Sequence, residues 1–580
     1  MGMTGAQILC EALVREGVEI IFGFPGGTVL PLYDTLSDYP QLRHVLVRHE
    51  QGAVHAADGY ARVTGKVGVC LATSGPGATN LITGIANAHL DSSAIVAITG
   101  QVPRPMIGKD AFQESDITGI TLPITKHNYL TTSAESLGGI VKEAFYLART
   151  GRPGPVLIDI PRDVFTEEGE FIYPKKISIP GYKAVFRGHA AQIHRASELI
   201  NEAQRPVIIA GRGVVISRAY DELRELAENA QMPVITTLLG IGAFPGSHLL
   251  SFGMLGMHGM AHANLAVSES DLIVAVGMRF DDRAIGKVEE FAPRAQIIHI
   301  DIDPAEIGKN VQVDVPIVGD AKSVLQALNK EVATQSRVDW IDQLEEWRRK
   351  HPRSVGESEQ LLPQYVVSKI CEMTGGDTYV ITDVGQHQMW CAQYFCYTKP
   401  NSIVSSGGLG TMGFALPASV GVQVGCPTDS VWCVVGDGGF QMTIQELGTV
   451  VQEKLPVKIA IINNGYLGMV RQWQELFYER RYVATPLWGP DFIKIAEAYS
   501  IAALRVREKN EVAAAIEKAI DHDGPFLIEF VVEPEENVYP MVPPGAAISD
   551  FIETPKKKTV VAVESAMMSG RLDTMLDSRD

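Results

Sequence analysis

The chain has 580 residues, of which 46% are hydrophobic and 20% are charged, and its formal net charge is −18. This length is too great for a single core and predicts three or four domains. The net negative charge argues against a nucleic-acid-binding surface, which would show clusters of basic residues. The sequence contains no run of about 18 apolar residues, so no membrane span is predicted.

The N-terminal segment 1–19 lacks a basic stretch followed by an apolar one, so it does not resemble a targeting signal. Its periodicity predicts an amphipathic helix with Leu9 and Leu13 on one side. The chain also contains seven irregularly spaced cysteines without a C-x-x-C pair. This odd number predicts reduced thiols in a cytoplasmic protein.

Short apolar runs that end in glycine alternate with helical patterns along the chain. Examples of the runs are 94-AIVAITG-100, 207-VIIAGRG-213 and 457-VKIAIINNG-465. Continuous β-branched runs indicate strands buried on both faces, and strand–helix alternation indicates parallel sheets covered by helices. The predicted fold class is therefore α/β, with three doubly wound parallel-sheet domains.

Two polar segments interrupt the alternation of strands and helices. The first, 166-TEEGEFIYPKKISIPGY-182, mixes charged residues with proline and glycine. The second, 336–360, is highly charged. The C-terminal end has few large apolar residues, so we expect a loosely held tail. The predicted divisions are domains at 1–165, 190–335 and 361–550, linkers at 166–189 and 336–360, and a tail at 551–580.

The first and third domains share a weak similarity. Segments 68–100 and 431–464 each contain a strand that ends in a glycine-rich turn, then a helix and another strand. A remote duplication and the general likeness of doubly wound units explain this similarity equally well.

The strongest motif lies in the third domain, where 436-GDGGF-440 ends one predicted strand and 463-NN-464 ends the next. Neighbouring parallel strands would bring Asp437 and Asn464 to the carboxyl edge of the sheet, where open α/β sheets bind ligands. Carboxylate and amide oxygens suit Mg²⁺, and the glycines allow backbone N–H groups to approach a diphosphate. The motif therefore predicts a magnesium-diphosphate site.

G-D-G followed at this distance by N-N resembles the signature of thiamin-diphosphate-dependent enzymes. The resemblance implies that the main-chain carbonyl of Tyr466 is a third protein ligand of Mg²⁺. In isolation, His387 and Met412 would be assigned to structural packing. The resemblance gives cofactor-binding roles in this domain to Gln386, His387, Gly410, Met412, Gly436, Gly438 and Gly439.

Glu50 lies in 48-RHEQGAVHAADGYAR-62, among small residues. A carboxylate there is either a charge favoured by a helix N-terminus or a functional group. The segment resembles the one whose glutamate binds N1′ of the thiamin aminopyrimidine, which implies that Glu50 promotes loss of the thiazolium C2 proton. Burial raises the pKa of a carboxyl group and eases such an exchange. Since Glu50 and Asp437 lie in different domains, the resemblance implies active sites between the subunits of a homodimer or tetramer.

The resemblance narrows to the catalytic large subunits of the acetolactate synthase family and covers about residues 3–552. Segments that carry it include 22-FGFPGGTVLPLYD-34, 110-DAFQE-114 and 279-RFDDR-283. It implies that pyruvate is decarboxylated on thiamin diphosphate and that the hydroxyethyl unit is ligated to a second 2-ketoacid. Pyruvate would give 2-acetolactate and 2-ketobutyrate would give 2-aceto-2-hydroxybutyrate, in the biosynthesis of valine, leucine and isoleucine.

The same resemblance implies an acceptor site. Arg283 would bind the carboxylate of the second ketoacid, and Trp473 would favour the extra methylene of 2-ketobutyrate. On its sequence context alone, Arg283 would be a surface residue paired with a neighbouring aspartate. The other residues implied to line the cleft are Gly27, Phe112, Gln113 and Met469.

In this family the middle domain carries FAD, which has no redox role in the net reaction. Glycine-rich strand ends in a doubly wound unit suggest a dinucleotide. However, 211-GRGVVIS-217 is not G-x-G-x-x-G, so the match to 279-RFDDR-283 carries the FAD prediction. The implied FAD-binding residues are Gly211, Arg212, Gly213, Thr236, Thr237, Leu238, Met257, His258, Gly277, Arg279, Asp301, Ile302, Asp320 and Ala321, with Arg283 beside them.

Two other interpretations are weaker. An FAD- and thiamin-diphosphate-dependent pyruvate oxidase would not need Arg283 and Trp473, and a non-catalytic binding subunit would lack Glu50, Asp437 or Asn464. The family resemblance also implies a separate small regulatory subunit. We expect neither nucleic-acid nor membrane partners.

Overall fold

The structure is a computed structural model that describes residues 2–353, 355 and 358–553. Most of the tail predicted at 551–580 therefore lies outside the described residues. The described chain contains three six-stranded sheets in which every neighbouring strand pair is parallel, with helices packed on them. This arrangement confirms the predicted α/β class.

The N-terminal unit contains one of these sheets and a two-stranded antiparallel ribbon. Its strands are β1 (Met3–Thr4), β2 (Ile20–Gly23), β3 (Arg43–Leu46), β4 (Gly68–Ala72), β5 (Ile95–Gln101), β6 (His127–Leu130), β7 (Val156–Pro161) and β8 (Glu168–Gly169). Its helices are α1 (Gly5–Arg15), α2 (Leu30–Leu36), α3 (Glu50–Thr64), α4 (Pro76–Thr79), α5 (Ile82–Leu90), α6 (Ile117–Thr121), α7 (Leu137–Arg149) and α8 (Arg162–Thr166).

The central unit contains the second sheet and is followed by a helix in the second polar segment. Its strands are β9 (Pro206–Ala210), β10 (Val234–Thr236), β11 (Ser251–Met254), β12 (Leu272–Val276), β13 (Gln296–Asp301) and β14 (Val315–Val318). Its helices are α9 (Ala190–Glu202), α10 (Arg212–Ser217), α11 (Tyr220–Asn229), α12 (Ala261–Glu269), α13 (Asp282–Ile285) and α14 (Ala321–Leu328), and the following helix is α15 (Val338–Lys350).

The C-terminal unit contains the third sheet. Its strands are β15 (Tyr379–Thr382), β16 (Ile403–Ser405), β17 (Val431–Gly436), β18 (Lys458–Asn463), β19 (Ala502–Val506) and β20 (Phe526–Val531). Its helices are α16 (Pro363–Thr374), α17 (Gln386–Tyr394), α18 (Ala415–Gly425), α19 (Asp437–Met442), α20 (Leu447–Gln452), α21 (Gly468–Phe477), α22 (Phe492–Ala498) and α23 (Val512–Asp521).

The predicted amphipathic helix at the N-terminus is confirmed by α1, which buries Leu9 and Leu13. Its N-terminus is fixed by a capping box, in which Thr4 and Gln7 satisfy each other's main-chain N–H groups. Among the described residues, no helix combines the length and the apolar character that crossing a membrane requires.

The strand orders divide the three sheets into two kinds. The N-terminal sheet runs β3-β2-β4-β5-β7-β6 and the C-terminal sheet runs β16-β15-β17-β18-β20-β19, so their strands follow the same order. The central sheet runs β11-β10-β9-β12-β13-β14, which is the order of dinucleotide-binding folds. Segments 68–100 and 431–464 therefore lie in two sheets of the same strand order, which the central unit does not share.

Helices α3 and α18 join the N-terminal and C-terminal units through very close packing. A Cβ atom on Gly421 would lie 1.8 Å from the main-chain oxygen of Ala56, and one on Gly59 would lie 2.3 Å from that of Ala418. Apolar residues from both units form one continuous core around this contact. Only glycine at these two positions lets the helix backbones approach so closely.

We expect Gly421→Ala to destabilise the protein by about 1–3 kcal/mol, because an added methyl group must push the two helices apart. Thermal unfolding should show a lower midpoint. Gly139→Ala is the matched control, since Gly139 also lies in a helix but the nearest atom to its Cβ position is 3.9 Å away. Equal midpoints for the two variants would contradict the role of the close contact.

Candidate active site

A small cavity of about 60 Å³ lies at the carboxyl edge of the C-terminal sheet. It lies where the chain leaves β15 and β17, the point at which the strand order reverses and open sheets bind ligands. The predicted residues that line it are Gln386, His387, Met412, Gly436, Asp437, Gly438, Gly439, Asn464, Tyr466 and Met469. The fold thus brings together residues that are up to 83 positions apart in the sequence.

Asp437 is the first residue of α19 and is almost completely buried. Burial raises the pKa of its carboxyl group to about 7, although it accepts hydrogen bonds from main-chain N–H groups that include that of Asn464. No Lys, Arg or His within the described part of the chain forms a salt bridge with it. A cation bound beside Asp437 would offset this burial, so the residue fits a metal ligand.

Asn464 is held beside Asp437 by Gln386. The Asn464 side-chain amide donates to Gln386 Oε1 at 3.1 Å, and Gln386 Nε2 donates to Gln472 Oε1 at 2.9 Å. The main-chain N–H of Tyr466 donates to Asn464 Oδ1 at 3.2 Å. The amide oxygen of Asn464 thus remains at the cavity wall, oriented by neighbours on both sides.

His387 provides a polar group without a partner. Burial lowers the pKa of its imidazole to about 4, so the ring is neutral at physiological pH. Its Nε2 atom has no hydrogen-bond partner among the described residues. The ring also lies 3.1 Å from the position that a Cβ on Gly436 would occupy. This unpartnered ring nitrogen lies beside the first turn of α19, where a helix N-terminus can bind a diphosphate, so it fits a contact with a bound ligand.

The loop that carries Gly410 and Met412 forms another wall. Gly410 has φ +69°, a left-handed conformation that favours glycine. Asp383, at the end of β15, accepts hydrogen bonds from the main-chain N–H groups of Gly413 and Ala415, both at 3.0 Å. Asp383 is not among the predicted site residues, although its position after a strand resembles that of Asp437.

A buried ion-pair network holds the start of this loop against the N-terminal unit. Arg62 of α3 pairs with Asp58 at 2.7 Å and with Asp91 at 2.8 Å. Asp91 also accepts the main-chain N–H groups of Gly407 at 3.2 Å and Gly408 at 2.6 Å. The network therefore ties α3 and the end of α5 to the loop that carries Gly410.

Glu50 is the first residue of α3 and is largely buried. Its Oε2 accepts a hydrogen bond from Asn80 Nδ2 at 2.9 Å. Asn80 is not among the predicted site residues, although it ends the glycine-containing segment 73-TSGPGATN-80. Glu50 lines neither the small cavity nor the larger one described below.

The other predicted residues of the N-terminal unit also lie outside both cavities. Phe112 is 89% exposed, and Gln113 adopts a positive φ of 60° beside Gly75. Gly27 begins a short 3-10 turn, and no atom lies within 4 Å of its Cβ position.

A larger cavity of about 540 Å³ lies beside the central unit and reaches the C-terminal unit. It lies partly at the carboxyl ends of β9 and β12, where the central strand order reverses. Gly211 and Thr236 do not line it. The predicted residues that do are Arg212, Gly213, Thr237, Leu238, Met257, His258, Gly277, Arg279, Arg283, Asp301, Ile302, Asp320, Ala321, Gly410, Met412, Met469 and Trp473.

Charged groups in this cavity are incompletely compensated. Burial and the nearby Arg62 lower the pKa of Arg212 to about 10, and its Nε atom has no hydrogen-bond partner in the described part of the chain. Burial raises the pKa of Asp301 to about 6. Arg212 fits an anionic ligand group, and Asp301 fits a hydroxyl or amine donor.

Arg283 and Trp473 meet at one end of this cavity. The Arg283 guanidinium lies 5.8 Å from the centroid of the Trp473 ring, and the side chain is 62% exposed. Its nearest carboxylate, Asp282, is 3.7 Å away, whereas Asp281 caps α13 by accepting main-chain N–H groups. The guanidinium thus forms a long ion pair with the exposed Asp282, as its sequence context alone predicts, and most of its side chain is open to solvent.

Three known domain families match successive parts of the chain. They are the N-terminal TPP (thiamine pyrophosphate, or thiamin diphosphate) binding domain of thiamine pyrophosphate enzymes at residues 3–120, the central domain at 193–328 and the C-terminal TPP binding domain at 383–530. The three sheets and the cavity at the C-terminal edge thus define a thiamine pyrophosphate enzyme.

Individual proteins of similar sequence identify the family more narrowly. The chain is 52% identical to the acetolactate synthase large subunit of Corynebacterium glutamicum over 95% of this chain and 90% of that protein. It is 50% identical to the acetolactate synthase of Arthrospira platensis, over 95% and 98% of the two chains. It is also 46% identical to the probable acetolactate synthase large subunit of Methanocaldococcus jannaschii, over 100% and 99%. The chain belongs to the acetolactate synthase large-subunit family.

We expect Asp437→Ala to weaken thiamine pyrophosphate binding by at least about 10-fold, because the cavity loses its anionic ligand for a bridging cation. Quenching of tryptophan fluorescence during titration with the cofactor would measure this affinity. Asp377→Ala is the control, since Asp377 is an exposed carboxylate of the same unit. If the Asp437 variant binds thiamine pyrophosphate as tightly as the wild type does, Asp437 is not part of the cofactor site.

Proposed function

We propose that the chain decarboxylates pyruvate and joins the resulting two-carbon unit to a second 2-ketoacid. Pyruvate as acceptor gives 2-acetolactate, and 2-ketobutyrate gives 2-aceto-2-hydroxybutyrate, precursors of the branched-chain amino acids. The observation that carries this proposal is the Arg283 guanidinium over Trp473, in the same cavity as Gly410 and Met412. A second carboxylate needs such a cation, whereas a simple decarboxylase does not.

Thiamin diphosphate, when bound, supplies the carbon nucleophile and the electron sink for loss of CO₂. Asp437 and Asn464 would hold Mg²⁺ together with the main-chain carbonyl of Tyr466, since these are hard oxygen ligands. His387, Gln386 and the glycines Gly436, Gly438 and Gly439 would surround the diphosphate. The buried carboxylate of Asp437, which forms no salt bridge among the described residues, and the unpartnered Nε2 of His387 support this assignment.

Glu50 would exchange a proton with N1′ of the aminopyrimidine, while the Gly410 carbonyl accepts from the 4′-amino group and Met412 supports the ring. Glu50 does not line the cavity of Asp437 in one chain, which supports an active site completed by a second copy of the chain. We therefore propose a homo-oligomer, a dimer or tetramer, with its active sites between subunits. Gly27, Phe112 and Gln113 would enter the site with Glu50.

Arg283 would bind the acceptor carboxylate through its planar guanidinium. Trp473 and Met469 would form the apolar pocket for the acceptor side chain. Such a pocket distinguishes one methylene by about 1–3 kcal/mol. The acceptor preference for 2-ketobutyrate would therefore be moderate and would depend on the shape that Trp473 gives to the pocket.

FAD is the ligand that we propose for the larger cavity. The central strand order, the cavity volume of about 540 Å³ and the uncompensated Arg212 support a dinucleotide with an anionic diphosphate. Asp301 and Asp320 offer acceptors for hydroxyl groups. The role of FAD would be structural, because the proposed reaction is redox-neutral overall.

The domain functions follow from these sites. We propose that residues 1–165 bind the pyrimidine, 190–335 bind FAD and 361–550 bind the diphosphate and Mg²⁺. Relatives are named large subunits, which supports pairing with a small regulatory subunit. The seven cysteines, all within the described residues, are free thiols and support a cytoplasmic location.

We expect Glu50→Gln to lower the rate of C2-proton exchange of bound thiamin diphosphate by about 100-fold or more, because the amide cannot transfer a proton to N1′. Quenched-flow exchange followed by NMR would measure the rate. Cofactor affinity, measured separately, should change little, since glutamine has nearly the same size. An unchanged exchange rate would exclude the proposed role of Glu50.

Product analysis distinguishes the proposed reaction from a pyruvate oxidase. Under nitrogen, pyruvate alone should give acetolactate, and adding 2-ketobutyrate should give the mixed product. Omitting thiamin diphosphate or Mg²⁺ should abolish both products, and removing FAD should lower activity without changing the product. Oxygen-dependent peroxide as the main product would instead assign the oxidase reaction.

A further inference from the structure

A second buried carboxylate lies at the N-terminus of α3, close to Glu50 but supplied by the C-terminal unit. Glu446 is completely buried and lies just before α20. Its carboxylate accepts the main-chain N–H of Arg48 at 3.0 and 3.2 Å, the main-chain N–H of His49, and the hydroxyl of Thr449 at 2.7 Å. These contacts satisfy donor groups immediately before the first residue of α3.

The fit between Glu446 and α3 is tight. A Cβ atom on Gly52 would lie 2.4 Å from Glu446 Oε1, so the carboxylate occupies the space beside the first turn of the helix. Burial raises the pKa of Glu446, whereas its hydrogen bonds and the nearby Arg48 oppose this effect. A carboxylate beside a helix N-terminus is stabilised by the helix dipole, and main-chain donors strengthen that interaction.

Arg48 completes the junction from the other side. Its guanidinium donates to the main-chain oxygen of Gly448 at 3.1 Å and to Gln452 Oε1 at 2.8 Å, both in the C-terminal unit. The carboxylate of Glu446 and the guanidinium of Arg48 thus both connect the segment before α3 to the region of α20. The side chain of Glu50, by contrast, has Asn80 as its hydrogen-bond partner in the described chain.

We propose that Glu446 is a positioning residue for Glu50. By holding the N–H groups of Arg48 and His49, it fixes the first turn of α3, and with it the direction in which Glu50 leaves the helix. This inference rests on the catalytic role proposed for Glu50. The proposal adds that the C-terminal unit of the same chain determines the orientation of the Glu50 side chain.

The first test needs no cofactor. In the cofactor-free full-length protein, Glu446→Ala should speed amide hydrogen exchange of Arg48 and His49 by about 10-fold or more, because their N–H groups lose their acceptor. Glu453→Gln is the matched control. It removes another carboxylate that links the same two units, but its partner is Arg43 of β3, at 2.5 Å, rather than the main chain at the start of α3. Unchanged protection in the Glu446 variant would overturn the proposal.

The second test separates positioning from simple stability. With saturating thiamin diphosphate, Glu446→Ala should slow C2-proton exchange by about 10- to 100-fold, as expected for a misplaced reacting group, with the KM for pyruvate nearly unchanged. Glu446→Gln keeps one acceptor oxygen and should lose less, so it also serves if the alanine variant does not fold. Glu453→Gln should match the wild type.

The outcomes are distinguishable. Normal C2-proton exchange in both Glu446 variants, with slow exchange in Glu50→Gln, would overturn only the positioning role. Normal exchange in Glu50→Gln would instead overturn the function proposed for Glu50. Slow exchange accompanied by a proportional loss of cofactor affinity would assign Glu446 a purely structural role and would also overturn the proposal.

Discussion

The contact between α3 and α18 is the constraint on which the arrangement of the units depends. Gly421 and Gly59 let two helix backbones approach to a distance that no other side chain permits. Because α3 begins at Glu50, this crossing also determines where the proposed catalytic carboxyl stands relative to the C-terminal sheet. Close backbone packing excludes alternative helix positions, since a small displacement would leave a void or a clash in a dense core.

Buried charges reinforce this contact at both ends of α3. Near its N-terminus, Glu446 and Arg48 link the helix to α20, and near its C-terminus Arg62 pairs with Asp58 and Asp91. Burying such groups costs free energy unless each is fully hydrogen-bonded, so their main contribution is to specify one arrangement. Here that arrangement includes the loop before Gly410, whose first N–H groups bind Asp91.

The two cavities differ from these networks because some of their buried polar groups lack a hydrogen-bond or ion-pair partner among the described residues. Asp437, His387 and Arg212 are buried at cavity walls, and the protein does not neutralise or pair all of their polar atoms. Unpaired buried polar groups are costly, and ligands offset that cost when they bind. An anion beside Arg212, and a cation shared by Asp437 and a diphosphate, would complete both sites.

The sequence by itself determined the α/β class, the helix at the N-terminus and the joint position of Asp437 and Asn464. These features follow from local pattern, because buried parallel strands are continuous apolar runs and neighbouring strands end at one edge. The contact of Arg283 with Trp473, the anchoring of Gly413 by Asp383 and the bond from Asn80 to Glu50 appeared only in the tertiary structure. The pairing of Arg48 with Glu446 spans 398 residues. No periodicity encodes such a contact, because it depends on how closely two helices cross, and that distance is set by packing across the whole core.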